Sequence, residues 1–338
     1  MRLGVLDVGS NTVHLVVLDA VRDARPDPES SDRSTVRLMQ YLTDDGTIDD
    51  DGVKALKKAV KRARKAAEKF GCEELVGMAT SAIREARNGP EVVAKLEKAA
   101  GVPLRVLSGD QEAELTFLAA RRWHGWASGR LLVLDIGGGS LEVALGIDES
   151  PEFRVSLPLG AGRLTRHFLT SDPPEKNQMA TLQRRVDKLL APVAKELADL
   201  PSPDHVVVTS KTFRSLARLA GHSQAVIGPE ERRRMALRDL QDWVPRLARI
   251  PAEQRMELPG ITPERTHQIV AGAVVAESAM RHLGVDRVEV CPWALREGAI
   301  LRRIDHMSGP DNGDNLAPVG AGAPAGGPPG GALRSSFV

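Results

Sequence analysis

The chain has 338 residues, enough for two domains with cores of their own. Its 46 basic and 45 acidic residues nearly cancel, so no global field points to nucleic acid or to an anionic membrane surface. Cys72 and Cys291 lie far apart without metal-type spacing and are expected to be reduced. The first residues enter a strand directly, which leaves no room for a signal peptide, and no apolar run nears the roughly 18 residues needed to span a bilayer. The expectation is a soluble cytoplasmic protein.

Arg2–Asp7 reads as a first strand and Thr12–Ala20 as a second. Val21–Ser34 is polar and contains proline, so it is expected as a loop, with a third strand at Val36–Leu42. Asp49–Asp51 offers N-cap candidates for a long helix ending at Gly71. Its apolar positions Val53, Leu56, Val60, Ala63, Ala67 and Phe70 make one stripe. The same helix carries Lys54, Lys57, Lys58, Lys61, Arg62, Arg64, Lys65 and Lys69, either as a solvated outer face or as a surface for a polyanion. A strand at Leu75–Ala79, two helical pieces broken at Asn88-Gly89-Pro90, a strand at Leu104–Leu107 and a helix over Gly109–His124 complete the first half. Trp123 and Trp126 are expected to pack near a joint between domains.

The second half repeats the order. Strands are expected at Leu131–Asp135, Leu141–Ile147 and Phe153–Leu157, then helices at Gly160–Leu169 and Glu175–Leu200. A strand at His205–Thr209 runs into a helix at Lys211–Ala220. Two helices over Pro229–Ile250 and Pro263–Leu283, a strand at Arg287–Cys291 and a helix in Pro292–Ile304 follow. Small residues in Ala271–Ala279 suit close helix packing or a hinge. The domains are thus expected at 1–125 and 126–306, with a disordered Gly-, Pro- and Ala-rich tail at 307–338.

Leu131–Val143 reads LLVLDIGGGSLEV: a buried strand, an aspartate, and a turn of Gly137, Gly138, Gly139 and Ser140. A strand rather than a helix follows the glycines, so this is a hairpin tip, not a Rossmann or Walker loop. Leu3–Val13 echoes it, matching Leu3/Leu131, Val5/Val133, Leu6/Leu134, Asp7/Asp135 and Gly9/Gly137, with Thr12 opposite Ser140. Ala79-Thr80-Ser81 likewise echoes Val208-Thr209-Ser210. An internal duplication explains both. Two Asp-Gly hairpins facing across a cleft would clamp a polyphosphate group with backbone N–H groups. Ser10, Asn11, Thr12 and Ser140 would add neutral donors. Asp7, Asp135 and Glu142 stand near the same phosphates and would need a cation between them. Magnesium suits such oxygen ligands, with manganese as its substitute.

The duplicated βββαβαβα pair resembles the actin–hexokinase–Hsp70 superfamily: two actin-like ATPase-type (ribonuclease H-like) α/β domains about a cleft. Within it, DVGSNTVHLVV at Asp7–Val17, ATSAIREARN at Ala79–Asn88, LSGDQEAELTF at Leu107–Phe117, DIGGGSLE at Asp135–Glu142, GAGRLTRHF at Gly160–Phe168 and ALREGAIL at Ala294–Leu301 resemble the exopolyphosphatase/guanosine pentaphosphate phosphatase (Ppx/GppA) family. The chain looks like its short, two-domain form. The resemblance implies Mg²⁺-dependent release of orthophosphate from the end of inorganic polyphosphate, with Glu112 as the base that activates water. Here Gln111 and Glu114 depart from the usual EEAR-type motif around that glutamate. By the same resemblance Arg84 and Asn88 help hold substrate, and a homodimer is implied. Lys211 and Arg214 occupy the equivalent place in the second domain, where nucleotide-binding relatives carry a Gly pair, so this pocket is expected to favour phosphate over a nucleoside. Arg163 and Arg166 either extend a phosphate track or face solvent. The alternatives are hydrolysis of guanosine pentaphosphate, a superfamily sugar kinase or ATPase, and a non-catalytic sensor of polyphosphate or an alarmone.

Overall fold

The computed structural model describes residues 1–22, 24–221 and 233–308. The first lobe is built from β1 (Arg2–Val8), β2 (Thr12–Asp19), β3 (Ser30–Thr35), α1 (Asp50–Lys69), β4 (Glu74–Ala79), α2 (Ser81–Arg84), α3 (Gly89–Ala100), β5 (Leu104–Val106) and α4 (Gly109–His124). Its sheet runs β3-β2-β1-β4-β5, with β1 antiparallel to β2 and parallel to β4. The second lobe has β6 (Leu131–Ile136), β7 (Leu141–Gly146), β8 (Phe153–Leu157), α5 (Ala161–Phe168), α6 (Lys176–Ala198), β9 (His205–Val208) and α7 (Ser210–Leu219). It continues through β10 (Arg233–Ala236), α8 (Leu237–Leu247), α9 (Ala252–Arg255), α10 (Ile269–His282), β11 (Arg287–Val290) and α11 (Leu295–Ser308). Its sheet, β10-β11-β9-β6-β7-β8, repeats the first with one added edge strand.

The central strands are apolar on both faces because helices cover both. Leu6, Val8, Val13 and Leu15 pack under α3 and under α1, the buried stripe of α1 being Val53, Leu56, Val60, Ala63 and Ala67. The alternate residues Leu3, Val5, Val16 and Leu18 meet Ala299, Ile300 and Ile304 of α11. The second sheet is covered the opposite way. Its Leu131, Val133 and Ala144 face meets Phe117, Leu118, Ala119 and Ala120 of α4. The helix that closes each half in sequence thus lies on the other half's sheet, and α4 and α11 pack against one another. α10 packs closely, its Gly272 lying where a Cβ would come 2.6 Å from Thr212.

The structure corrects three elements. The third strand is Ser30–Thr35, not Val36–Leu42. It is a polar edge strand with little to bury, so its composition resembles a loop. Leu38–Tyr41 is instead a 3-10 turn that buries Leu38 and Met39. Within the expected helix Pro229–Ile250, Arg233–Ala236 is a strand antiparallel to β11, and the helix starts only at Leu237. Its first residues lie outside the described residues, as does the disordered tail expected at 307–338 except for Met307 and Ser308, which belong to α11. The helix expected from Pro263 starts at Ile269, after a run of turns. Trp123 packs edge-on against Trp293 with ring centroids 5.2 Å apart, as expected, but Trp126 is 65% exposed. Both cysteines are free thiols. No described helix is long and apolar enough to cross a membrane.

Candidate active site between two duplicated hairpins

The two hairpin tips close in the same way. Gly9 N–H donates to Thr12 O at 3.0 Å, and Gly137 N–H donates to Ser140 O at 2.9 Å. The tip carbonyls are tied down on one side. Ser10 O accepts from Leu38 N–H at 2.8 Å and Asn11 O from Val36 N–H at 2.9 Å. In the second lobe Gly137 O accepts from Ala161 N–H at 3.0 Å and Gly138 O from Arg163 N–H at 2.9 Å. The 3-10 turn at Leu38 and the start of α5 therefore do the same job. A trans peptide points its N–H opposite to its C=O, so the amides that follow these carbonyls face the other way. Gly9 and Gly137 use their own N–H groups inside the turns.

The tips touch. A Cβ on Gly138 would lie 2.6 Å from Asn11 Nδ2, and one on Gly139 would lie 2.3 Å from Ser81 Oγ. Ser10 Oγ and Ser81 Oγ share a hydrogen bond at 3.3 Å. Asn11 Nδ2 reaches Gln268 Oε1 at 3.4 Å across the lobes. The glycines are there because the opposite lobe occupies the space a side chain would need.

Asp7 and Asp135 end the rows Leu3-Val5-Asp7 and Leu131-Val133-Asp135, on the faces that meet the exchanged helices. Each has a register partner on the next strand: Asp7 faces His14, and Asp135 faces Glu142. The N-terminal turn of α4 brings Glu112 to the second pair, while that of α11 brings Arg296 to the first. Glu112 and Glu142 are each 6% exposed. Arg84 donates to Glu112 from α2 and to Leu107 O at 2.6 Å. Ser156 Oγ donates to Glu142 at 2.8 Å, and Thr209 Oγ1 donates to Asp135.

Burial raises all four carboxylates. Asp7 is pushed up to about 6, with Arg296 opposing the rise. Glu112 is pushed up to about 7 by burial, against the pull of the Arg84 charge and with the charges of Asp7 and Asp135 adding to the rise. Asp135 is raised by burial, against the Thr209 hydrogen bond and nearby arginines. Glu142 lies well above the usual carboxylate range because of burial and the charges of Glu112 and Asp135. His14 goes down to about 3 through burial and the charges of Arg296 and Arg33. It is therefore neutral and accepts from Arg296 Nη1. The duplication has been made asymmetric: one aspartate sits among carboxylates, the other beside a histidine and a guanidinium.

Among the described residues, no three acidic, histidine or cysteine side chains form a ready-made metal shell. The donor set still fits a hard cation. Asp7 Oδ1 is buried without a hydrogen-bond partner, and carboxylates raised by burial and then by one another's charge are relieved by a positive ion. Magnesium is commonly held through one or two carboxylates, with waters and phosphate oxygens as its other ligands. Asp7, Asp135 and Glu142 could hold it in that way.

Other expected site residues separate. Arg84 lies in the site. Asn88 has both ends of its amide engaged, Nδ2 donating to Ile48 O at 2.8 Å and Oδ1 accepting from Ile48 N–H at 3.0 Å. It anchors that loop rather than offering a phosphate donor. Lys211 is half-buried in the first turn of α7, behind Ser210, whose φ of 72° is left-handed. Arg163 and Arg166 tie the lobes: Arg163 bonds Gly139 O at 2.7 Å and Glu85, and Arg166 bonds Met39 O at 2.7 Å. Sequence reasoning missed a cluster made of Arg33, Arg265 and Arg296 together with Arg214. Arg265 is 9% exposed and goes down to about 10 through burial and the charges of Arg33 and Arg214, while Asp135 raises it. Arg33 Nε and Arg296 Nε are buried without acceptors. Arg296 sits in the motif ALREGAIL, the one signal that pointed to it.

The profile of the Ppx/GppA phosphatase family matches residues 17–307. The chain belongs to that family. Exopolyphosphatase 1 of Mycobacterium tuberculosis is 50% identical over 305 residues, covering 90% of this chain and 89% of that protein. Exopolyphosphatase 2 of the same organism is 29% identical, over 89% and 98%. An exopolyphosphatase structure from Cytophaga hutchinsonii superposes with a TM-score of 0.81 at 25% identity, covering 90% of this chain and 98% of that one. The Ppx/GppA member from Aquifex aeolicus gives 0.75 at 24% identity, over 92% and 99%. The two actin-like α/β lobes are thus those of the Ppx/GppA fold, and this family member is an enzyme, a hydrolase.

Proposed function

We propose that this enzyme is an exopolyphosphatase, hydrolysing the terminal phosphoanhydride of inorganic polyphosphate to release orthophosphate. The observation that carries the reading is Glu112, buried, paired with Arg84 and set beside Asp135 and Glu142. The two hairpin tips, in contact in this structure, part to take the terminal phosphoryl group between them. Amides of residues 10–12 and 138–140, beyond the Gly9 and Gly137 N–H groups that close the turns, bind its oxygens, and Ser10, Asn11, Thr12 and Ser140 supply further donors. Such a transition state spreads charge over the phosphoryl oxygens, so positioning and charge stabilisation supply most of the catalysis. Glu112, with a proton affinity matched to neutral pH, takes a proton from the attacking water. Arg33, Arg214, Arg265 and Arg296 form a cationic wall for the phosphates behind the scissile bond. Bound magnesium, or manganese, would neutralise phosphate charge and so let the substrate approach the carboxylates. Arg84 exchanges part of its contact with Glu112 for a substrate oxygen.

The test is orthophosphate release from polyphosphates of graded length, beside guanosine pentaphosphate, with and without Mg²⁺. Metal-dependent release from polyphosphate at a kcat/KM above that for guanosine pentaphosphate is expected. The reverse order would make the chain a guanosine pentaphosphatase. Tight polyphosphate binding with no release under any metal would make it a sensor.

A further inference from the structure

α1 carries a charge arrangement that neither its packing nor the cleft requires. Lys54, Lys57, Lys58, Lys61 and Lys65 recur at helical spacing, away from the buried Val53, Leu56, Val60 and Ala63. All are exposed except the half-buried Lys57. With Arg62 they form one contiguous face of the helix. Two of these six cations are neutralised, Lys54 by Asp51 at 3.0 Å and Arg62 by Asp32 at 2.8 Å. Among the described residues, Lys57, Lys58, Lys61 and Lys65 have no carboxylate within ion-pair distance. Like charges at this spacing oppose helix formation. The whole chain has a formal charge of only +1, so the excess is not a by-product of a basic composition.

β3 links this face to the cleft. It is the edge strand of the first sheet. Strand alternation sends Asp32 to Arg62 on α1 and the next residue, Arg33, towards His14 and Arg296. A polyanion leaving the cleft past Arg33 has one edge strand to cross before it meets the lysines. The stripe from Lys54 to Lys65 extends about 16 Å along the helix axis, long enough for several phosphate residues. Ammonium groups on flexible stems bind as point charges without a fixed fork, which suits a chain that slides as its end is consumed.

We propose that the Lys57–Lys65 face of α1 is a second binding site for inorganic polyphosphate, holding the distal part of a long chain whose end lies in the cleft. This rests on the exopolyphosphatase reading of that cleft. The test is a variant carrying Lys57→Gln, Lys58→Gln, Lys61→Gln and Lys65→Gln, with its melting temperature checked against the parent. With tripolyphosphate, too short to reach α1, kcat/KM is expected to stay within twofold. With chains of about 100 phosphates at low salt, KM is expected to rise tenfold or more. The slope of log affinity against log salt is expected to fall by about 2–3, as for loss of four phosphate contacts. An unchanged KM for long chains in a variant that still cleaves tripolyphosphate would overturn the second site. A parent protein that releases phosphate from neither substrate would instead overturn the reading of the cleft. Equally tight, lysine-dependent binding of single-stranded DNA would overturn polyphosphate as the partner of this face.

Discussion

Arg84 donates from one guanidinium nitrogen, Nη1, to two acceptors, the Glu112 carboxylate and the Leu107 carbonyl, and so holds the head of α4 to the end of β5. The ion pair opposes the burial that raises Glu112 to about 7. Removing the guanidinium leaves burial and like charges unopposed. Arg84→Ala is therefore expected to move the acid limb of the kcat/KM–pH profile upward by roughly one unit or more. An acid limb left where it was would separate Arg84 from the protonation of Glu112.

Glu112 itself is tested by Glu112→Gln, which keeps the shape and removes the base. Turnover is expected to fall by about 10²–10⁴-fold with the acid limb lost from the residual rate. Binding of a long polyphosphate should be retained, measured by competition with a labelled chain. Near-parental turnover would take Glu112 out of the chemistry.

The raised carboxylates also set how stability follows pH. Folded Asp7 and Glu112 bind protons more tightly than the unfolded chain does. Between about pH 4 and pH 7 the native state therefore carries the extra protons, and these groups make stability fall as pH rises. The metal-free protein is expected to lose thermal stability from pH 5.5 to pH 8 more steeply than Glu112→Gln does. Mg²⁺ should raise the melting temperature more at pH 8 than at pH 5.5, because it relieves ionised carboxylates. Parallel melting curves for the two proteins would contradict the shift at Glu112.

Gly139, in the second hairpin, and Gly160, packed against it at the start of α5, make separable predictions. A Cβ on Gly160 would sit 2.2 Å from Gly139 C and 2.3 Å from Ser140 N, backbone atoms that cannot swing aside. Gly160→Ala is expected to destabilise the fold. A Cβ on Gly139 would meet the Ser81 side chain of the other lobe. Gly139→Ala is expected to lower activity with little change in melting temperature, and Ser81→Gly in the same chain to restore part of it. Equal loss of stability in both alanine variants would show that the lobe contact is not what excludes a side chain at Gly139.

Asn88 provides the contrasting case. Its amide satisfies both backbone groups of Ile48. Asn88→Ala is expected to cost about 1–3 kcal/mol of stability, because a half-buried donor and acceptor lose their partner. KM for polyphosphate should hardly move. A large rise in KM at unchanged stability would return Asn88 to the phosphate site.

The elements that were legible in the sequence are those whose local pattern and tertiary environment agree. Leu131–Leu134 is a continuous apolar run because helices cover both faces of its sheet. The helix at Gly109–His124 was readable because Ser108 and Gln111 cap it reciprocally. The paired aspartates were readable because duplication repeats a residue in its setting. What escaped was set from a distance. Ser30–Thr35 is a strand only because β2 lends it hydrogen bonds, and its side chains say nothing of it. Arg33, Arg265 and Arg296 are single residues spread over most of the chain, with no spacing to link them. The crossing of α4 and α11 to opposite sheets is long-range packing that no local period encodes.

That crossing also constrains how the protein is made. The face of the first sheet bearing Leu3, Val5, Val16 and Leu18 is covered by Ala299, Ile300 and Ile304, from the far end of the described chain. During synthesis this apolar surface has to wait for almost the whole polypeptide to emerge before its native cover arrives. An exposed apolar sheet face of this kind invites wrong partners while it waits. The first lobe therefore lacks its native cover until α11 has been made, and the pocket between the lobes is incomplete until then.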